Sequence, residues 1–387
     1  MQGNTRSKSV QNNTKNYLLI KIMRILFATP YKCISGGISR WAENIINYYN
    51  GLETDVELDV LPMNDTKERS AEDFVGNSTI RRVARGLRTY GYALRTLRRK
   101  LEGAKYDILH IASSASISLL KDIVMMRIAH KRGVKSVLHF HFGRIPELAK
   151  KQNWEWKMLL YAVKLSDKTV VIDRQSYETL MSKDCYNVEY VPNPLAPVIG
   201  DIISKMDVER KSNMLLFVGQ CLPTKGVYEL VDACGSISNI ELWMLGAITD
   251  DMSQELTTRW NGSSKLYIAG NLSFEEVIRM MCKCDVFILP TYTEGFPNVI
   301  LEGMACGCAI VTTPVGAIPE ILGDEDGNPY GLMVEPRNVE QLRDAINKML
   351  SDDVFKETCR KNAQQRVNER YNMNSVWQQM VRVWRSI

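Results

Sequence analysis

The sequence predicts an α/β protein made of two doubly wound, Rossmann-like domains that face each other across a cleft. Three observations carry this expectation. The chain has 387 residues, too many for one ordinary core when domains usually run to roughly 100–200 residues. Short apolar runs of strand character alternate with stretches of helical period, the order that parallel sheets require. Midway along the chain, Pro192-Asn193-Pro194-Leu195-Ala196-Pro197 interrupts regular structure with three prolines.

Residues 1–16 are polar, carry no acidic side chain and contain no apolar core of signal-peptide length, so 1–21 reads as a polar tail. A strand at 24–28, a loop holding Pro30, Gly36 and Gly37, and a helix at 39–49 then form the first β-loop-α unit. Strand candidates at 56–61, 108–111, 136–140, 168–172 and 188–191 alternate with helical stretches, which gives an N-terminal domain over 22–195. The pattern restarts with strands at 214–218, 240–245, 265–268, 286–289 and 309–312, for a C-terminal domain over 196–372. From Val339 the chain reads as helical throughout. Its last part, 373–387, carries Val376, Met380, Val383 and Trp384 at helical spacing, a stripe free to pack back on the first domain.

Hydrophobic residues make up 45% and charged residues 24%, the balance of a folded chain and not of a disordered one. A net charge of +5 is slight for this length, so anionic partners must be argued from local clusters. The nine cysteines are scattered and lack a repeated Cys-x-x-Cys frame with histidines at zinc spacing. They read as reduced, cytosolic thiols, and the pairs Cys282/Cys284 and Cys306/Cys308 as buried packing. The longest apolar runs, 17–22 and 286–290, fall far short of the ~20 residues that span a bilayer.

The sharpest local signal is Leu289-Pro290-Thr291-Tyr292-Thr293-Glu294-Gly295-Phe296-Pro297-Asn298-Val299-Ile300-Leu301-Glu302. It is a buried strand running through a glycine/proline loop into a helix. An open helix start presents unpaired amide N–H groups and the positive end of the helix dipole, which suits a phosphate. Glu294 in the loop and Glu302 in the helix are placed to reach opposite ends of one extended ligand. Ionised carboxylates accept bonds from vicinal hydroxyls, one set on a sugar and the other on a ribose.

Together with Gly303-Met304-Ala305-Cys306-Gly307, Pro314-Val315-Gly316-Ala317-Ile318-Pro319-Glu320, Phe217-Val218-Gly219-Gln220-Cys221-Leu222-Pro223-Thr224-Lys225-Gly226, Ser35-Gly36-Gly37 and Val191-Pro192-Asn193, this segment resembles retaining glycosyltransferase family 4, with the GT-B fold. Order and spacing agree from about Met23 to the C-terminus, which a single short motif would not ensure. The resemblance implies that Glu294 holds donor-sugar hydroxyls, Glu302 the ribose and Lys225 the diphosphate. Gly36 and Gly37 would let backbone approach that diphosphate. Gln220, Gly295, Phe296, Asn298 and Val299 complete the expected donor site. The donor, a nucleotide-diphosphate sugar, is a co-substrate, and no cofactor or metal is implied. Where the family usually carries an arginine this chain has Gln220, and Arg40, Arg144 or Arg174 are candidates to supply the missing cation.

In His139-Phe140-His141-Phe142-Gly143 the two histidines fall on one strand face. The resemblance favours His141 as the catalytic contact to the donor sugar, with His139 as the alternative, while His110 and His130 read as structural. Asp324-Glu325-Asp326 spells an acidic triplet but lies in a glycine-bearing polar run, a solvated turn and not a metal site. Between Arg81 and Lys100 there are eight basic residues and no acidic ones. Arg81, Arg85, Arg88, Arg95 and Arg99 project opposite an apolar stripe and are candidate contacts to anionic lipid headgroups, set against a plain core-packed helix with a solvated outside. Few aromatics align with that face, which argues against nucleic acid.

The expected reaction is therefore hexosyl or N-acetylhexosaminyl transfer to a glycan or lipid-linked acceptor in bacterial envelope or exopolysaccharide assembly. The expected place is the cytoplasm, with the basic helix as the candidate contact to the inner face of the plasma membrane. A non-catalytic nucleotide-sugar-binding partner subunit is the alternative that Gln220 keeps open. A glycoside hydrolase is disfavoured because loop-plus-helix placement does not hold two carboxylates ~5–5.5 Å apart. A dehydrogenase is disfavoured because no G-x-G-x-x-G fingerprint occurs.

Overall fold

The computed structural model describes residues 22–31, 37–63, 79–323 and 326–387, with the side chains of 79–87 excepted. Gly36, Asp324, Glu325 and the side chains of Arg81 and Arg85 thus lie outside the described residues.

The first sheet contains β1 (Met23–Thr29), β2 (Val56–Pro62), β3 (Ile108–Ser113), β4 (Lys135–Phe140), β5 (Lys168–Val171) and β6 (Val188–Tyr190). They lie parallel in the order β2-β1-β3-β4-β5-β6. Helices α1 (Gly37–Tyr49), α2 (Thr79–Gly103), α3 (Ser118–His130), α4 (Ile145–Lys151), α5 (Trp154–Leu165) and α6 (Arg174–Met181) make the connections. One core sits on each side of this sheet: Leu26, Leu109 and Leu138 point into one and Ile25, Phe27 and Val137 into the other. Burial on both faces explains why the central strands read as unbroken apolar runs.

After the proline-rich linker come α7 (Val198–Ser204), β7 (Met214–Val218), α8 (Val227–Gly235), β8 (Glu241–Leu245), α9 (Asp250–Arg259), β9 (Lys265–Gly270), α10 (Phe274–Lys283), β10 (Val286–Leu289), α11 (Asn298–Ala305), β11 (Ala309–Thr312), α12 (Ile318–Leu322), β12 (Leu332–Met333), α13 (Val339–Ser351), α14 (Asp353–Arg370) and α15 (Met373–Arg385). The second sheet runs β12-β11-β10-β7-β8-β9, again parallel. The two domains are thus doubly wound Rossmann-like units, the architecture read from the sequence. Strand order reverses between β1 and β3 in one sheet and between β7 and β10 in the other. Such switch points open crevices at the carboxyl ends of the strands.

Two expectations need correction. The C-terminal stretch is three helices and not one, because Asp352 and Asn372 cap new starts: their side chains accept from the backbone N–H groups of Phe355 and Ser375 at 3.0 and 2.8 Å. The two-residue strand β12 was not expected, being too short to write a periodic signal. α15 lies on the first domain, where Trp377 and Trp384 join Phe27, Val137 and Val170 in one core. Arg385 pairs with Asp55 at 2.7 Å, and Leu195 N–H donates to the Tyr371 carbonyl at 2.7 Å, so the linker is fastened to the end of α14.

Candidate functional site

Because β7 and β10 are neighbours at the second switch point, the loops that leave them emerge side by side. Tyr292 N–H donates to the Thr224 carbonyl at 2.9 Å and fastens one loop to the other. Gly226 ends the β7 loop with φ +70°, and a Cβ there would lie 2.0 Å from the Pro290 carbonyl oxygen, so only glycine permits this approach. The consequence is chemical: Lys225 Nζ stands 2.5 Å from Glu294 Oε1, both side chains mostly shielded from water.

The Glu294-Gly295 turn continues to the first domain. A Cβ on Gly143, just beyond β4, would meet Gly295 Cα at 2.3 Å, so the two backbones touch across the cleft. Phe296 is buried against the Tyr371 ring at 5.9 Å. Asn298 Oδ1 accepts from Asn193 Nδ2 of the linker at 3.2 Å, and Val299 is half-buried beside it. Pro297 precedes α11 without any side-chain cap; Ile300 N–H turns back to the Pro297 carbonyl at 3.0 Å, and the amides of Asn298 and Val299 before it have no capping side chain.

Glu302 lies one turn further along α11 and is 7% exposed. Burial pushes its carboxyl up to about 7, and Arg40 acts in the opposite direction. Arg40 reaches over from α1 of the first domain, its Nη1 3.9 Å from Glu302 Oε1 and its guanidinium 5.6 Å from the Phe274 ring centre. Of the three arginines considered for the missing cation, Arg40 is therefore the one that faces Glu302. Arg144 instead lies over Phe142, 3.9 Å from Glu155, and Arg174 lies over Tyr190. Gln220 is exposed in the β7 loop. Gly37 opens α1, and apart from its chain neighbours and its own helix no atom of the described residues lies within 4 Å of where a Cβ would stand.

His141 follows β4 directly, and its backbone N–H donates to the Ser113 carbonyl at 2.9 Å. Its ring stacks on His139 at 4.2 Å and packs on Trp41 of α1 at 4.1 Å, which confirms that the two histidines share a face. The residue keeps some exposure, yet the ring is enclosed, and burial lowers His141 to about 3. Its Nε2 and that of His139 are buried with no hydrogen-bond partner among the described residues. Behind them, His110 Nε2 stands 3.3 Å from His139 Nδ1, and Trp384 Nε1 donates to His110 Nδ1 at 2.9 Å. His130 is bonded to Ser136 and Asp167 on the far side of the domain.

Elsewhere, Asp326 accepts from the Tyr330 hydroxyl at 2.6 Å and lies 3.6 Å from Arg366. Cys284 and Cys308 are buried with their sulfurs 3.6 Å apart, and no group of three His, Cys, Asp or Glu side chains among the described residues is arranged to hold a metal. Arg88, Arg95 and Arg99 are exposed on α2. Sequence reasoning missed Trp41, whose role appears only when α1 lies over β4. Glu320, in the sequence only the end of a motif with no contact assigned, accepts from the Tyr190 hydroxyl at 2.6 Å and the Arg174 N–H at 2.7 Å across the domain boundary.

Residues 35–197 match the model of Glycosyltransferase Family 4, and residues 200–366 that of Glycosyl transferases group 1. An uncharacterized glycosyltransferase of Methanocaldococcus jannaschii is 25% identical over 355 residues, covering 89% of this chain and 93% of that protein. The N,N'-diacetylbacillosaminyl-diphospho-undecaprenol alpha-1,3-N-acetylgalactosaminyltransferase of Campylobacter jejuni is 27% identical over 175 residues, 45% of each chain. Anabaena HepE, solved in complex with UDP-glucose, superposes with a TM-score of 0.67 at 18% identity, covering 94% of this chain and 100% of that one, and so shares the GT-B fold.

Proposed function

Since this chain belongs to glycosyltransferase family 4, we propose that it moves a hexosyl or N-acetylhexosaminyl group, with retention, from a nucleotide-diphosphate sugar to an acceptor hydroxyl. The observation that carries this reading is the Lys225–Glu294 pair at the β7/β10 switch point, beside the open start of α11. One extended ligand can use both charges at once: its diphosphate takes the ammonium, and the sugar hydroxyls take the carboxylate. Glu302, a turn deeper on the same helix, then accepts from the ribose.

In the proposed step the bond from the anomeric carbon to the diphosphate oxygen breaks, and the acceptor oxygen bonds that carbon from the same face. The acceptor proton passes to the leaving phosphate oxygen. Negative charge grows on the diphosphate, so Lys225, the first-turn amides of α11 and the Gly36–Gly37 loop stabilise departure more than binding. Charge neutralisation by these groups makes the reaction metal-independent. His141 contacts the sugar as a neutral hydrogen-bonding group, its ring held by Trp41 and His139.

The acceptor we propose is a lipid-linked saccharide of envelope or exopolysaccharide assembly, the class that the name of the Campylobacter relative describes for that protein. The enzyme would meet it as a peripheral protein at the cytoplasmic face of the membrane. A hydrolase reading is opposed by the engagement of Glu294 and Glu302 with different cations, Lys225 and Arg40. The test is transfer from UDP-, GDP- and ADP-sugars to a membrane lipid extract, with the anomeric configuration of the product read by NMR. Nucleoside diphosphate release with an α-linked product from an α-linked donor is expected. An inverted product, or none from any donor, overturns the proposal.

A further inference from the structure

Among the described residues, five of the eleven exposed large hydrophobics gather on two neighbouring helices of the first domain while the other six are scattered along the chain. Single exposed apolar residues are ordinary, but a contiguous group calls for a partner. On α3 the outward positions are Leu120 and Val124, and Ile117, the residue that precedes the helix, continues their row at helical spacing; the three are 62% (Ile117), 54% (Leu120) and 38% (Val124) exposed. On α5 they are Trp154 and Tyr161, two turns apart, with Lys157 and Lys164 on the same face.

The two faces are joined into one surface. Arg127, continuing the α3 row, donates to the Tyr161 hydroxyl at 2.6 Å and places its guanidinium over that ring at 5.5 Å. At the other end, Ser116 bonds Glu155 and so ties the start of α3 to the start of α5. No free carboxylate interrupts the surface, because Asp122 of α3 is fully buried and Glu155 is engaged by Ser116.

Aromatic and aliphatic side chains interleaved with lysine and arginine, on a helix surface whose carboxylates are buried or engaged, are what an anionic bilayer surface binds: rings and aliphatic chains enter the headgroup boundary while the cations meet lipid phosphates. Position adds a second argument. Ile117 and Trp154 stand at the N-terminal ends of their helices, and α3 begins directly after the carboxyl end of β3 at the first switch point. The surface therefore adjoins the cleft.

We infer that the α3/α5 face is the docking surface of this protein for an anionic lipid bilayer, seating the cleft mouth at the headgroup level. The inference deepens the proposal of a lipid-linked acceptor and rests on it for its purpose, yet its test involves no donor and no transfer. It also moves the main contact away from α2, which presents exposed arginines but no exposed large hydrophobic of its own among the described side chains, its Tyr90 hydroxyl donating to the Ile117 carbonyl at the edge of the α3 row.

The experiment is flotation of the full chain with vesicles of phosphatidylcholine alone or mixed with phosphatidylglycerol. The wild type should float with the mixed vesicles and stay behind with phosphatidylcholine. Leu120→Ser/Trp154→Ser and Lys157→Glu/Lys164→Glu should each lower the partition by on the order of tenfold or more, with unchanged circular dichroism, since all four positions are exposed. Failure of the wild type to float at low salt overturns the inference. So does undiminished binding by both variants, and binding lost only in Arg95→Glu/Arg99→Glu would assign the contact to α2 instead. Donor hydrolysis without vesicles reports separately on the transferase reading.

Discussion

The indole N–H of Trp384, in the last helix, donates to Nδ1 of His110 on β3 at 2.9 Å, across 274 positions of sequence. An indole only donates, so His110 must accept at Nδ1 and carry its proton on Nε2, which then donates to His139 Nδ1. One bond from α15 thereby sets the tautomers of two histidines behind the cleft. Trp384→Phe keeps most of the packing but orphans His110 Nδ1, and should cost about 1–3 kcal/mol in urea denaturation.

The same cluster makes the protein acid-sensitive. Burial lowers His110 and His141 from 6.5 to about 3, so as pH falls below 6.5 the unfolded chain takes up protons that the folded one refuses. Stability is then full above that value and lost on acidification. Thermal melts should show the midpoint falling between about pH 7 and about pH 5, and His110→Phe/Trp384→Phe should flatten part of that slope.

Glu302 has the opposite sign. Burial raises it from 4.5 to about 7, so its contribution to stability is present below 4.5 and is lost as pH rises through about 7. Glu302→Gln should therefore gain thermal stability relative to wild type on going from about pH 5 to about pH 8. On the proposed placement of the ribose at Glu302, its hydroxyls donate to the ionised form, so donor affinity should rise over the same interval with release of a proton. Calorimetry in two buffers of different ionisation enthalpy reads that proton.

Lys225 is the cation nearest the Glu294 carboxylate at 2.5 Å. On the proposed placement of the diphosphate at Lys225, Lys225→Ala removes a charge-assisted contact worth about 1.5–3 kcal/mol, so donor affinity should drop roughly tenfold to a hundredfold. Lys225→Arg should recover only part of it, because the arginine fork does not fit the space of an ammonium.

Gly143 touches Gly295 where the domains meet, and an added Cβ would lie 2.3 Å from Gly295 Cα, a backbone atom that cannot rotate away. Gly143→Ala should push the domains apart at this point. A shift of about 1 Å at the reacting atoms lowers kcat on the order of a hundredfold. Affinity for the donor, which the proposal seats mainly on the second domain, should stay within about threefold. Equal losses in both would show that the contact serves binding instead of closure.

The doubly wound architecture was legible because a parallel strand buried on both faces writes itself as a continuous apolar run, as at Val286–Leu289. The loop from Leu289 to Glu302 was legible for the same reason, with its glycine and prolines marking where the strand gives way to a helix. Residues that act through distant partners left no local trace. Arg40 was only one of three candidate cations until α1 placed it against Glu302. Trp384 read as one more apolar position of a terminal stripe, and nothing in its neighbourhood of sequence names His110. Asp352 and Asn372 did carry a signal, since both are strong helix N-caps, but uninterrupted helical propensity around them concealed it.

The most direct measurement is calorimetric titration of the wild type and of Glu302→Ala with UDP-, GDP- and ADP-sugars. Saturable binding of at least one nucleotide sugar by the wild type is expected, with a loss of tenfold or more in the folded variant, as about 1.5–3 kcal/mol per charged contact requires. Wild-type protein that binds none of them, or a variant that binds as tightly as wild type, would contradict the account.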